Sequence, residues 1–555
     1  RIALQPLPAR MGEVVVRAGW TEQSLQQATS SVTVVASTAL GEGRHLQDLT
    51  ASIPNLNWAG GTSRPQYFQI RGIGERSNYA GEGPPSFSVG TVVDDVDLSG
   101  LGTGGLLFDL EQIEVYRGPQ STIFGANAMA GLIHMRSADP EDQYAQGLSA
   151  GIGSDGLRDV AGYVNVPVSA TLALRAVYSR ADSDGFRDNE YLQRNDTNQR
   201  QERVARLKAL WEPAGGSRLT ATWFYADADN GYDAWAPDNN EALHTYTDNP
   251  GVDSQRTTGL SLRAEAPLMA KLQLVSISAY SRTDGEYSFD SDWGHDGFWL
   301  QAPYHFDPLV EGYAYDFFDD MDRERSTWTQ EVRLLRDQLP AVGGSAVLGL
   351  FARHLQEDAE ATGYLFGGDA ADLVSGFDIS ETALYGQHQR TLAENLQFTA
   401  TLRADHNETS YSGRTNGGAE SVRFRTGEWL TGGRMGVTLA LGENRAAFAT
   451  LSRGYRAGGI NQHPRLEAAN RPYDPEYVLN TEAGFRWAGA RSRVSITAFH
   501  GRRSSQQVEL STQQDAGDPN SFVYFTNNAG TGWNAGVEID GNYNLHSAVG
   551  ISGSL

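Results

Sequence analysis

The chain has 555 residues, 44 lysines and arginines against 68 aspartates and glutamates, a net charge of −24 and no cysteine. That balance disfavours affinity for phosphate backbones and excludes a nucleic-acid partner, while the missing thiols exclude disulfide scaffolds, thiolate metal sites, iron–sulfur clusters and cysteine nucleophiles. No stretch approaches the roughly 20 apolar residues of a spanning helix, yet a mean hydropathy of −0.44 suits membrane strands, which need only alternate residues to be apolar.

In chain order, residues 1–22 form a polar tail that opens at Arg1 without the features of a signal peptide. Within it Glu13, Val14, Val15, Val16, Arg17 and Ala18 make a short β-branched run. Such a run ahead of a folded domain is suited to adding as a strand to a partner's sheet edge, where main-chain hydrogen bonds supply the affinity; the competing reading is a first strand of the next domain. Residues 23–140 mix short apolar segments, such as 31–35 and 90–93, with glycine-rich turns, which predicts a small α+β domain. Residues 113–140 within it read as strand, Gly-Pro turn, Gly/Ala-rich segment and strand.

From about residue 141 the pattern becomes long alternation of apolar and polar residues. It is clearest where Leu396, Phe398, Ala400, Leu402 and Ala404 interleave with Gln397, Thr399, Thr401, Arg403 and Asp405. A period of two is strand and not helix. About seventeen strands are predicted, centred near residues 150, 162, 177, 207, 222, 260, 277, 332, 350, 385, 401, 433, 450, 483, 500, 534 and 551. Tight links at 167–170, 212–217, 267–271, 391–395, 441–444 and 488–492 fall at every second connection, and the connections between them are usually long. A soluble sandwich also alternates, but only an up-and-down membrane barrel keeps short and long connections in strict parity, with periplasmic turns on one rim and extracellular loops on the other.

By that parity the last strand rises and has no partner. Because unpaired strand edges are costly in lipid, about five further C-terminal strands are expected beyond this chain.

Residues 113–140, IEVYRGPQSTIFGANAMAGLIHMRSADP, resemble the plug-domain signature of TonB-dependent outer-membrane receptors, with Ala130 and His134 at positions where that family usually carries glycine and asparagine. FQIRGIG at 68–74 and VVDDVD at 92–97 resemble its earlier plug motifs, and GEVVVRA at 12–18 its TonB box. SRGYRAGGIN at 452–461, PEYVLNTEAG at 475–484 and NAGVEID at 534–540 are similar to its later barrel segments. The resemblance implies a transmembrane antiparallel β-barrel of about 22 strands, about seventeen of them in this chain, with the α+β plug domain in its lumen. It implies localisation in the bacterial outer membrane, TonB with its inner-membrane energising complex as partner, and active uptake of a scarce, bulky nutrient. A ferric siderophore or other metal chelate is the first expectation for cargo; oligosaccharide, cobalamin or an aromatic compound by the same mechanism, or a passive porin, are the alternatives.

The same resemblance implies that plug Arg71 and Arg117 pair with barrel Glu482 and Glu538 as a latch. The apical loop 75–81, with Arg76, Asn78 and Tyr79, is expected to receive cargo. So are Trp235 and the aromatic loop 284–325, with Trp293, His295, Trp299 and Tyr304, since rings offer broad contact area to a bulky ligand; the plain alternative is that such loops pack on themselves. Asp290, Asp292 and Asp296 lack EF-hand spacing and are read as a solvated acidic face, with no metal assigned. GIGSDG at 151–156 matches GxGxxG but has no helix after it and reads as a tight extracellular turn. No catalytic constellation is visible and no cofactor is expected; a metal chelate enters only as cargo.

Overall fold

Period-two alternation builds most of the chain into a single sheet. The computed structural model describes residues 15–16, 19–20, 23–36, 45–59, 62–77, 83–102, 106–339, 342–369, 372–464, 466–513, 516, 522–546 and 549–555. Its large sheet contains β1 (Ala145–Ile152), β2 (Arg158–Ser169), β3 (Leu172–Ser183), β4 (Arg200–Trp211), β5 (Arg218–Tyr232), β6 (Gly251–Met269), β7 (Leu272–Asp290), β8 (Phe317–Arg336) and β9 (Ser345–Leu365). It continues through β10 (Leu373–Ala393), β11 (Leu396–Thr415), β12 (Glu420–Ala440), β13 (Arg445–Arg456), β14 (Glu476–Ala488), β15 (Ser492–Ser504), β16 (Gly532–His546) and β17 (Val549–Ser554). The eighteenth member is the two-residue piece Gly368–Asp369, which folds back to pair antiparallel with the end of β9. From β1 to β17 each strand pairs antiparallel with the next in chain order, and every centre read from the sequence falls inside one of them.

The two faces of this sheet distinguish a barrel from a sandwich. Leu207, Trp223, Leu260, Tyr280 and Trp328 stand side by side on the outer face of β4 to β8, and Leu350 and Leu402 are 60% and 69% exposed. The opposite face carries buried Arg206, Arg325, Arg403, Glu482 and Glu538. A sandwich buries its apolar face; an apolar outside around a polar inside is the arrangement lipid selects.

Connection parity differs from the expectation at two outer links. Those after β9 and β11 are short, because β9 to β12 run 20 or 21 residues where a tilted strand needs about 9–11 to cross the hydrocarbon. There the hairpins rise past the membrane as strand and turn tightly, whereas β7 and β8, at 19 and 20 residues, carry the 291–316 loop as well.

Inside lies the N-terminal domain. Its five-stranded sheet runs in the order Ser31–Ala36, Leu110–Arg117, Gly131–Ser137, Val89–Val93, Val96–Asp97, with one parallel pairing, between Val89–Val93 and Gly131–Ser137. Ile113, Val115, Ile133 and Met135 are fully buried in a core shared with Ile70, Leu98 and Leu106. Helix is minor: the four residues Ser121–Phe124 and the 3-10 turns Leu46–Ser52 and Gly125–Ala128.

Gly74 marks the turn after Tyr67–Ile70. Its φ is +152°, and a Cβ there would lie 2.2 Å from the Phe68 carbonyl oxygen. Gly74→Ala is expected to cost about 1–3 kcal/mol, measured as faster hydrogen exchange across residues 67–74; unchanged exchange there would contradict the strain.

Candidate functional site: the plug–barrel interface and its apical cavity

Arg71 follows Tyr67–Ile70 at φ +55°, an uncommon conformation for a non-glycine residue. The turn aims its guanidinium out of the domain at the wall. Arg117 ends Leu110–Arg117 of the five-stranded sheet. Glu482 on β14 and Glu538 on β16 occupy inward positions and meet them: Arg71 lies 2.5 Å from Glu482 and 2.8 Å from Glu538, and Arg117 lies 3.0 Å from Glu538. All four are buried. The remaining lone pairs are used as well, since Ser31 donates its N–H and hydroxyl to Glu482 and Asn55 donates to Glu538. The Arg71 guanidinium stacks 4.0 Å from the Phe499 ring centroid. Burial disfavours its charge, but the Glu482 and Glu538 carboxylates more than offset that and hold its pKa above the ordinary value.

Further plug–wall contacts were not legible beforehand. The plug turn at residues 94–99 faces the wall cations Lys208, Arg263, Arg353 and Arg325. Around Ser121–Phe124, Arg403 donates to Asp405, to Glu381 and to the Ile123 carbonyl, and the Tyr455 hydroxyl bonds Asp405. Arg434 and Arg486 donate to plug carbonyl oxygens at Pro119, Ala28 and Ser30. Alternation put Arg403 and Asp405 on the polar face of their strand; nothing in sequence order named the partners of these wall residues.

At the extracellular end a cavity lies between the plug apex and β6 to β8, lined by Arg64, Arg76, Tyr67, Tyr287, Arg323 and Arg325 among others. Asp253 holds Arg64 at 3.1 Å, and Glu357 holds Arg325 at 2.5 Å. Arg76 is exposed at its rim. Asn78 and Tyr79 lie outside the described residues. The end of β13 and the outer link after it lean on the same apex: Arg456 pairs with Glu75 at 3.1 Å and Gln462 donates to the Gly83 carbonyl.

The loop aromatics are placed elsewhere. Trp235 stacks on Trp293 and His295 on Tyr191. Trp299 is buried, donates its indole N–H to Asp292 at 3.0 Å, and meets Tyr304 and Tyr315 edge-on. None of Trp235, Trp293, His295, Trp299 and Tyr304 lines the apical cavity; they pack on neighbouring loop residues. Asp290 and Asp292 differ from the solvated reading: both are buried. Asp290 accepts the Asp292 and Trp293 amides, and Asp292 those of Gly294 and Phe317. The carboxylates are folded in because the loop's backbone amides need acceptors away from water.

Of the N-terminal run, Val15–Val16 pairs antiparallel with Gln23–Ser24, and Val16 is fully buried beside Leu25, Val32 and Tyr116. Gln112 donates to the Val15 carbonyl at 3.2 Å. Glu13, Val14, Arg17 and Ala18 lie outside the described residues.

Known proteins share this arrangement. The family model described as "TonB-dependent Receptor Plug Domain" matches residues 24–132, and "TonB dependent receptor-like, beta-barrel" matches 177–555. A vitamin B12 transporter of Vibrio vulnificus is 21% identical over 88% of this chain and 69% of its own length, and the pesticin receptor of Yersinia pestis 20% identical over 92% and 76%. The crystal structure of the ferric yersiniabactin uptake receptor of Yersinia pestis superposes with a TM-score of 0.75 at 17% identity, covering 94% of this chain and 78% of that one. With a polar lumen filled by a five-stranded plug and both family models matched in order, the chain belongs to the TonB-dependent receptors, β-barrel proteins of the bacterial outer membrane.

Proposed function

We propose that the chain binds a bulky, anionic metal chelate at the plug apex, a ferric siderophore foremost, and imports it by TonB-driven displacement of part of the plug. The observation that carries this reading is the apical cavity: on a protein of net charge −24 it gathers Arg64, Arg76, Arg323 and Arg325 with Tyr67 and Tyr287, against Asp253 and Glu286. Guanidinium groups and aromatic edges suit an anionic, ring-bearing chelate, and a local basic site answers the repulsion expected from the acidic surface. The plug blocks passive flow, so a simple porin does not fit the filled lumen. The outer membrane has no nucleotide to drive movement, and the inner-membrane energising complex supplies the work through TonB at residues 13–18. Arg71, Arg117, Glu482 and Glu538 act as the latch that holds the plug between cycles. A curated relative is named for vitamin B12, which keeps cobalamin as the second cargo.

Titration of the full-length receptor with ferric catecholate, phenolate and hydroxamate chelates and with cyanocobalamin, followed by tryptophan fluorescence, tests the cargo. One ferric class is expected to bind at or below about 1 μM, and Arg76→Glu to weaken it by at least about tenfold. Tight binding of cyanocobalamin with no response to any ferric chelate would replace this reading.

A further inference from the structure

Three cavities stand in file along one side of the plug, between its segment 94–101 and the wall from β4 to β10. Successive inward residues of β8, which runs from the extracellular to the periplasmic rim, order them. Arg325 lines the apical one, with Gly100 and Leu101 of the plug; Thr329 lines the middle one, with Asp97 and Ser99; Arg333 reaches the lowest, with Asp94 and Asp95. The middle and lowest cavities share Asp95, Phe124 and Arg333 and are contiguous. Their volumes are about 50, 80 and 310 Å³ from apex to base. Ligand pockets run to about 300–1,000 Å³, so the base already has room for a small ligand, while the two upper chambers must widen before a chelate seated at the apex can pass.

The closing element is the plug turn. Asp94 and Asp95 have φ of +46° and +72°, which turns the chain sharply between Val89–Val93 and Val96–Asp97. Along this segment Asp94 stands 3.5 Å from Lys208, Asp95 3.4 Å from Arg263 and Asp97 3.6 Å from Arg353, while Arg325 donates to the Ser99 carbonyl at 2.9 Å. Each of the three arginines also holds a wall carboxylate: Glu265, Glu381 and Glu357 respectively. Withdrawing the turn therefore removes one partner from every cation and leaves the wall carboxylates in place. Buried guanidiniums left with unused donors are costly, and an arriving anion relieves that cost. The Nε atoms of Arg353 and Arg333 already have no hydrogen-bond partner among the described residues. So does Nδ1 of His134, a 9% exposed side chain that lines the lowest chamber.

We propose that the acidic turn at residues 94–99 is the movable stopper of a translocation route down the β4–β10 wall, and that Arg325, Arg353, Arg263 and Lys208 pass an anionic cargo along it. The stopper's carboxylates occupy the cation row while the route is closed, and the cargo's negative groups replace them when it opens. This rests on the reading that the chain imports an anionic chelate.

The absence of cysteine allows a direct test. Thr329→Cys and Ser261→Cys report the middle and lowest chambers; Thr438→Cys on β12 and Thr497→Cys on β15, both buried and inward, report the wall elsewhere. The full-length receptor, in cells with TonB and supplied with ⁵⁵Fe chelate, is treated with anionic sulfonatoethyl methanethiosulfonate or its cationic trimethylammonioethyl analogue, with and without a proton uncoupler. Energisation is expected to raise modification by the anionic reagent about tenfold or more at positions 329 and 261, ahead of the cationic reagent, with 438 and 497 unchanged. In uncoupled cells, Asp95→Asn with Asp97→Asn is expected to raise the anionic rate at 329. Accumulation of ⁵⁵Fe with no change at 329 and 261, with opening at 438 or 497 instead, or with the cationic reagent ahead would overturn the route. Energised opening at 329 and 261 without ⁵⁵Fe accumulation would overturn the cargo reading and leave the route standing.

Discussion

Glu538→Gln is expected to weaken plug docking by about 3–5 kcal/mol, the usual cost of removing one partner of a buried ion pair. The carboxylate serves Arg71 through both oxygens, at 2.8 and 2.9 Å, and Arg117 at 3.0 Å. A neutral amide leaves two buried guanidiniums sharing only Glu482 and, at 3.7 Å from Arg117, Asp540. The effect is larger than for a surface pair because water cannot replace the lost charge: Arg117 and Glu538 are each 1% exposed. Amides of Leu110–Arg117 are expected to exchange about 100-fold faster or more in the variant, since each 1.4 kcal/mol is a factor of ten. Protection equal to that of the unsubstituted protein would show that the four charges do not hold the plug. Intact pairs contribute modestly to net stability while resisting single loss, which suits a latch that must release as a unit.

The second large effect is on transport with binding left intact. Val15→Pro removes a backbone N–H and confines φ, which prevents residues 13–18 from adding as a regular strand to a partner's edge. Accumulation of ⁵⁵Fe chelate is expected to fall to the level of cells without TonB, while the fluorescence-measured affinity of the purified receptor for the same chelate stays within about twofold of the original. Normal accumulation in the variant would remove the coupling role from this segment. The geometry gives the substitution a second consequence, because Val15–Val16 is paired to Gln23–Ser24 and Val16 is buried. If residues 13–18 add to a partner's edge as proposed, the segment leaves the plug first and coupling offsets the burial of Val16. That burial also shows why the β-branched run supported two readings: the same residues that suit a partner's edge pack well as a first strand.

The strands were legible because each carries its own signal. Leu396 to Ala404 alternate whatever the rest of the chain does, and all seventeen centres fall within observed strands. Connection lengths were less secure, since β9 to β12 reach past the membrane as strand and turn tightly, while the similarly long β7 and β8 are joined by a long loop. The aromatic loop shows a different limit. Trp293, His295, Trp299 and Tyr304 were singled out for their ring area, and that same area draws them onto Trp235, Tyr191 and Tyr315. Composition measures how much contact a side chain offers, not which neighbour takes it. Asp290 and Asp292 were misplaced for a related reason: their acceptors bond loop amides two to 25 residues along the chain, and hydrophilicity alone does not reveal that burial.

By itself the sequence determined the barrel and the domain in front of it, and its resemblance to the family pointed to the four charges that join them. Alternation, turn chemistry and motif order are local properties and survive in one dimension. The tertiary structure decided which charges meet. Arg71 and Glu538 are separated by 467 positions, and the three aspartates of VVDDVD found their cations on three different strands, β4, β6 and β9, while Arg325 on β8 bonds the Ser99 carbonyl. Pairing across such distances depends on barrel register and on the seat of the plug, where burial makes each unmatched charge costly; that cost is what selects one docked arrangement, and no local pattern records it.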